Sequence, residues 1–225
     1  EKRLEKVTRA AKAGDKKAAK EMDLLNRVKD ALLTGVSARA VQVADDEKEL
    51  LESFQLLTAK PVLYVCNVDE KSAKNGNAYV ERVREAVKNE EAEIIVLAVA
   101  TEADITELES YEERQMFLED IGLDEPGASK LIRAAYHLLN LQTYFTAGVK
   151  EVRAWTIHKG DTAPQAAGVI HTDFEKGFIR AEVIAYDDFI TYGSEAKVKE
   201  AGKMRVEGKE YIVKDGDIMH FRFNV

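Results

Sequence analysis

Cysteine is almost missing: Cys66 stands alone in 225 residues, so no internal disulfide can staple the chain, and a reducing cytoplasm suits it. Proline is also scarce, with three residues beside 13 glycines, which excludes collagen-like and linker-like composition. Long hydrophobic runs are lacking too. A stretch such as Ile94 to Ala100 falls far short of the roughly 18 to 20 residues of a membrane helix, so no membrane partner is expected. Positive charge is outweighed: 33 Lys and Arg against 41 Asp and Glu leave a net −8, which removes any uniform attraction to nucleic acid or anionic lipid. What is present, 45% apolar and 33% charged residues, suits one or two globular domains with real cores.

The charge is unevenly spread. Residues 1 to 20 hold Lys2, Arg3, Lys6, Arg9, Lys12, Lys16, Lys17 and Lys20 against Glu1, Glu5 and Asp15, a basic end on an acidic protein. A solvated helix face explains this, and so does a contact surface for RNA phosphate built on Lys12, Lys16, Lys17 and Lys20. Residues 102 to 125 reverse the sign, with only Arg114 opposing ten acids. Nothing there has metal-ligand spacing, so a solvated face is expected.

Leu4 and Val7, then Met22, Leu25, Val28 and Leu32, recur at three- and four-residue steps around Ala13-Gly14-Asp15. The pattern predicts a helical hairpin or coiled-coil arm over 1–44, broken at Gly14 and capped by Asp15. A helix is expected over Glu47 to Leu57. Two short apolar, β-branched runs, Pro61 to Cys66 and Glu93 to Ala98, flank an amphipathic helix from Ala78 to Lys88, which predicts a β-α-β unit with parallel strands. Two strands make an incomplete doubly covered sheet. The chain also opens at Glu1 in mid-helix pattern, so it reads as the C-terminal portion of a longer protein. Helices over Glu107 to Leu118 and Ser129 to Leu141 close this region, 45–141.

Over 142–225 the period shifts towards two. Strands are expected at Val152 to Ile157, Phe178 to Ala185, Met204 to Val206, Tyr211 to Val213 and Ile218 to Phe223, with a helix near Gln165 to His171. Turn signals at Lys159-Gly-Asp161, Glu207-Gly208 and Asp215-Gly-Asp217 separate them. The fold class is thus α/β with parallel strands and a helical arm, followed by an α+β module of the ubiquitin-like, β-grasp kind.

The most informative motif is Asn67-Val68-Asp69-Glu70, at the carboxyl end of the first strand, where open α/β sheets bind ligands. Asn67 can bridge loop backbone and a purine N7, while Glu70 can accept from an exocyclic amine. The structural alternative is an Asn cap with Glu three residues on. Ala98-Val99-Ala100-Thr101, ending the second strand, reads as a small-residue loop whose N–H groups can approach the same base. No phosphate loop occurs, because Gly208-Lys209 is followed by Glu210 and Gly202-Lys203 by Met204, so the Mg²⁺ ligand that such a loop supplies is not in this chain. Asp124-Glu-Pro-Gly127 reads as a turn with Pro126 at the first helical position. His137, His158, His171 and His220 are too far apart to suggest a ligand set, and Cys66 reads as a strand thiol. His171 to Phe178 reads as a helix-to-strand connection packed by Phe174 and Phe178, or as a partner contact.

With these motifs in place, the chain resembles the Obg-like ATPases, the YchF type of P-loop translation-factor-class GTPases, along essentially its whole length. The resemblance is carried by Ala13-Gly-Asp-Lys16, Thr58-Ala-Lys-Pro61, Asn67-Val-Asp-Glu70, Asn140 to Trp155, His171 to Glu182 and Asp215 to Val225. It implies a coiled-coil arm over 1–44, the second half of a nucleotide-binding G domain over 45–141 and a TGS (β-grasp) domain over 142–225. It also implies a cytoplasmic, ribosome-associated nucleoside triphosphatase that uses ATP, secondarily GTP, with Mg²⁺. By that resemblance Asn67, Val68 and Glu70 contact adenine, with Ala98 to Ala100 as the second base loop, and Asp69 has no assignable role. Related GTPases carry Asn-Lys-x-Asp; a longer Glu70 and Val68 in place of Lys disfavour guanine. Without a phosphate loop the chain alone is expected to be inactive. The alternative is an RNA- or ribosome-binding module with no catalytic activity.

Overall fold

The structure, a computed structural model, describes residues 2–90, 92–148 and 151–224. Glu1 of the basic end, and Val149, Lys150 and Val225 of the motifs above, lie outside the described residues. The chain divides into two compact units, Glu1–Ala134 and Ala135–Val225.

The first unit opens with helices α1 (Lys2–Lys12) and α2 (Lys16–Leu33). Gly14 sits between them at φ +94°, a backbone state that glycine enters without steric cost. The Asp15 carboxylate accepts the N–H groups of Lys17 and Ala18 at 2.9 and 3.1 Å and so caps α2. Leu24 and Val28 of α2 are buried with Ala38 and with Leu51 of helix α3 (Asp45–Ser53). Each of the leucine and valine side chains contributes about 2 kcal/mol of apolar burial.

Strand β1 (Leu63–Asn67) and strand β2 (Glu93–Leu97) form the expected parallel pair, with Asn67 opposite Leu97. Helix α4 (Ala78–Ala86) connects them, capped by Asn77. Then come helices α5 (Val99–Glu107), α6 (Tyr111–Asp120) and α7 (Gly127–Leu138). Two expectations change here. Val99 and Ala100 form the first turn of α5 and not a loop. The helix expected over Glu107 to Leu118 is broken at Leu108 and restarts at Tyr111, because Ser110 and Glu113 make a reciprocal capping box. Ala73, Ala98, Ile105, Leu118 and Leu123 form the core beneath.

The second unit holds strands β3 (Leu141–Ala147) and β4 (Val152–His158), helices α8 (Ala163–Ile170) and α9 (Thr172–Lys176), and strand β5 (Phe178–Ile184). Helices α10 (Tyr186–Tyr192) and α11 (Glu195–Glu200) follow, then strands β6 (Arg205–Glu207) and β7 (Ile218–Phe223). The sheet order is β4-β3-β7-β5-β6. β3 and β7 pair parallel at its centre, and the other pairs are antiparallel. Tyr144 is fully buried and its hydroxyl donates to Ala166 O at 2.9 Å, tying β3 to α8. Tyr211 to Val213 is not a ladder strand. It makes a single bridge, Thr162 to Ile212, because the Asp217 carboxylate takes the Tyr211 hydroxyl and the Lys214 N–H and turns the chain.

Candidate functional site

β1 delivers Asn67 to the surface, and the two strand ends are stitched there by hydrogen bonds. The Val68 N–H donates to Leu97 O at 2.8 Å, and the Val99 N–H donates to Asn67 Oδ1 at 3.1 Å. Residues 67–70 and the opening turn of α5 are thereby held side by side. Leu97 and Ala98 are buried, whereas Asn67, Asp69, Glu70, Val99 and Ala100 are exposed and Val68 is half-buried. With its oxygen occupied, the Asn67 amide keeps its NH₂ donors for an acceptor in solution.

Asn67 therefore does not cap its own following turn. Asp69 does: its carboxylate accepts the Ser72 N–H at 2.9 Å over the short 3₁₀ turn Glu70–Ser72. Sequence reasoning left Asp69 without a role, although Asp-x-x-Ser has the spacing for this one. Glu70 opens the turn, and its carboxylate has no hydrogen-bond or ion-pair partner among the described residues. It is left as an acceptor.

Near the amino-terminal ends of the two strands, away from the loop, Tyr64 of β1 donates its hydroxyl to Glu90 at 3.0 Å. Glu90 is ion-paired with Arg39 at 2.7 Å. The Arg39 guanidinium holds the Glu90 carboxyl below its ordinary value, helped by the Tyr64 hydroxyl and opposed by partial burial. On the α5 side, Glu102 accepts the N–H groups of Gly127 and Ala128 at 2.6 and 3.1 Å. Pro126 thus precedes α7 instead of opening it, and the helix borrows its cap from Glu102. Twenty-five residues separate Glu102 from Gly127, so no local pattern announces the contact.

The basic residues have different fates. Lys12 ends α1, and Lys16 and Lys17 open α2; all three are exposed at the hairpin turn. Lys20 is ion-paired with Asp46. A cleft of about 640 Å³ between the two helices is lined in part by Lys2, Arg3, Lys6 and Lys17. Elsewhere, the His171 ring accepts the Asp173 N–H at 3.2 Å and caps α9. Phe174 stacks on Phe223 at 3.8 Å and Phe178 is buried, so this segment packs a core. Among the described residues no group of three or more His, Cys, Asp or Glu side chains is arranged to hold a metal. Among the same residues no helix is long and apolar enough to cross a membrane.

Residues 141–224 match the family model YchF-GTPase_C, described as a protein of unknown function (DUF933). The chain is 54% identical over 225 residues to the "Ribosome-binding ATPase YchF" of Haemophilus ducreyi, covering 100% of this chain and 61% of that protein. It is 51% identical over 227 residues to the protein of the same name from Bacillus subtilis, covering 100% and 62%. The solved structure of the Schizosaccharomyces pombe YchF GTPase matches with a TM-score of 0.85 at 35% identity, covering 98% of this chain and 60% of that one. The chain spans about three fifths of the length of the curated relatives it matches.

Proposed function

The chain belongs to the YchF (Obg-like) ATPase family, and from that premise we propose that it supplies the base-reading half of a nucleotide site within a ribosome-associated ATPase. The whole protein binds and hydrolyses ATP, and GTP less well, with Mg²⁺. In this reading a phosphate loop in the part of the relatives that this chain does not cover grips the triphosphate and its metal, and no metal ligand is assigned here. This chain's own task is the purine. The Asn67 NH₂ donates to N7, Val68 covers the ring, and Glu70 accepts from the adenine amine, where guanine would turn an acceptor oxygen towards the carboxylate. Ala98 to Ala100 close the other side.

The observation that carries this reading is the Val99 N–H to Asn67 Oδ1 bond, which joins the two segments and leaves the donors of Asn67 outward. The remaining parts serve docking. We assign 1–44 as a coiled-coil arm, 45–141 to the G domain and 142–225 as a TGS domain. The parallel central pair of β3 and β7 supports the β-grasp assignment. The relatives are named ribosome-binding, and exposed Lys12, Lys16 and Lys17 suit RNA phosphate. That same surface favours the second reading, a ribosome-binding module without catalysis; hydrolysis by the full-length protein separates the two.

The test is the double change Val68→Lys with Glu70→Asp in the full-length protein. ATP affinity is expected to fall, and GTP affinity to rise, by about tenfold or more, the value of one or two charged hydrogen bonds. Equal affinities before and after the swap overturn the base assignment. The chain by itself is expected to release no phosphate from ATP above background.

A further inference from the structure

We propose that Glu102 and Gly127 are positioning residues for purine choice, which together fix the first turn of α5 against the 67–70 loop; the inference rests on the base-site reading above. Glu102 sits one turn into α5, its own N–H donating to Ala98 O at 3.0 Å. Its two carboxylate oxygens take the first amides of α7, Gly127 at 2.6 Å and Ala128 at 3.1 Å. Pro126, immediately before that helix, has no side-chain acceptor to offer, so the cap must come from elsewhere. A carboxylate there also meets the positive end of the helix dipole.

Gly127 makes the approach possible. A Cβ at this position would overlap the Leu97 side chain and come within 2.9 Å of Glu102 Oε1. Leu97 is buried, stands opposite Asn67 in the ladder and accepts the Val68 N–H. The residue before Ala98–Ala100 is therefore held against Gly127, and the carboxylate two residues after that segment is held on the α7 amides. Among the described residues no hydrogen bond runs directly from Glu102 or Gly127 to residues 67–70. Their influence runs through Leu97 and through Val99, whose N–H occupies Asn67 Oδ1. Releasing the clamp lets Val99 drift and leaves the Asn67 amide free to turn. Shifts on the order of 1 Å in such positioning groups are costly to recognition.

The test compares the full-length protein with its Glu102→Ala, Glu102→Gln and Gly127→Ala variants, using ATP, GTP and inorganic tripolyphosphate, which has no base. ATP affinity is expected to fall about tenfold in Glu102→Ala and Gly127→Ala. It should fall less in Glu102→Gln, which keeps one acceptor oxygen. The preference for ATP over GTP should narrow, while tripolyphosphate affinity stays within about twofold. Unchanged ATP affinity, or equal losses for ATP and tripolyphosphate, overturns the proposal. Asn67→Ala separates the two levels. If it leaves ATP affinity unchanged, the base-site reading falls; if it weakens ATP while the Glu102 and Gly127 variants do not, only the positioning role falls. Should Gly127→Ala fail to fold, amide exchange at Val99 in Glu102→Gln decides: faster exchange than wild type is expected, and an unchanged rate counts against the clamp.

Discussion

Asn67 and Val99 lie 32 residues apart in sequence, yet the side chain of one accepts the backbone N–H of the other at 3.1 Å. Two substitutions split what this bond does. Asn67→Ala removes acceptor and donor together, costing about 1 kcal/mol of stability and weakening ATP binding. Asn67→Asp keeps an acceptor for Val99 and loses the donors, so it should retain most of the stability and still bind ATP weakly. Urea unfolding and nucleotide titration of the same samples read both effects.

Packing makes a second pair of expectations. Leu24 is fully buried beside Val28 and Leu51, so Leu24→Ala should cost about 2 to 5 kcal/mol. Tyr144→Phe keeps the ring and removes the bond to Ala166 O, which should cost about 1 to 2 kcal/mol. Denaturant midpoints measure both, and a Tyr144→Phe protein as stable as wild type would contradict the tie between β3 and α8.

The Arg39–Glu90–Tyr64 cluster predicts acid sensitivity. Arg39 keeps the folded-state pKa of Glu90 below its ordinary value of 4.5. The native state therefore binds that proton more weakly than the unfolded chain. The contribution is present above about pH 4.5 and fades as pH falls towards the folded-state value. Glu90→Gln should be less stable than wild type near neutral pH, and the gap should shrink in acid. A gap that stays constant from about pH 7 to about pH 3 would remove the ion pair from the account.

Salt provides a fourth measurement. Neutralising Lys12, Lys16 and Lys17 should weaken ribosome association and flatten its dependence on salt concentration, since every phosphate that goes unneutralised takes roughly 0.7 to 0.9 off the logarithmic slope. Lys20→Gln should do less, because Asp46 already holds that ammonium. Association that is unchanged across the salt series would clear the hairpin of this role.

Sequence periodicity located the parallel pair and α4 closely, because buried β-branched runs and a capped amphipathic stretch leave strong local signals. β3 was not legible. Its inward positions include Gln142 and Tyr144, polar residues buried because Gln142 Nε2 reaches Val213 O and the Tyr144 hydroxyl reaches Ala166 O, and both partners lie far along the chain. α10 and α11 escaped for another reason: at seven and six residues they are too short to build a recurrent apolar stripe. At the site, Asn67 and Glu70 stood out by position after a strand. Glu102 did not, since its meaning depends on Gly127 and Ala128 arriving from a separate helix.

The β1–β2 pair is a sheet of two strands, and among the described residues neither strand has a further ladder neighbour. Each therefore offers one lateral row of amide and carbonyl groups, a ready template for any extended backbone that meets it. Expressed without a companion segment to cover those margins, the polypeptide should self-associate through them as its concentration rises. Its colloidal behaviour would then be governed by two short margins more than by its net charge of −8.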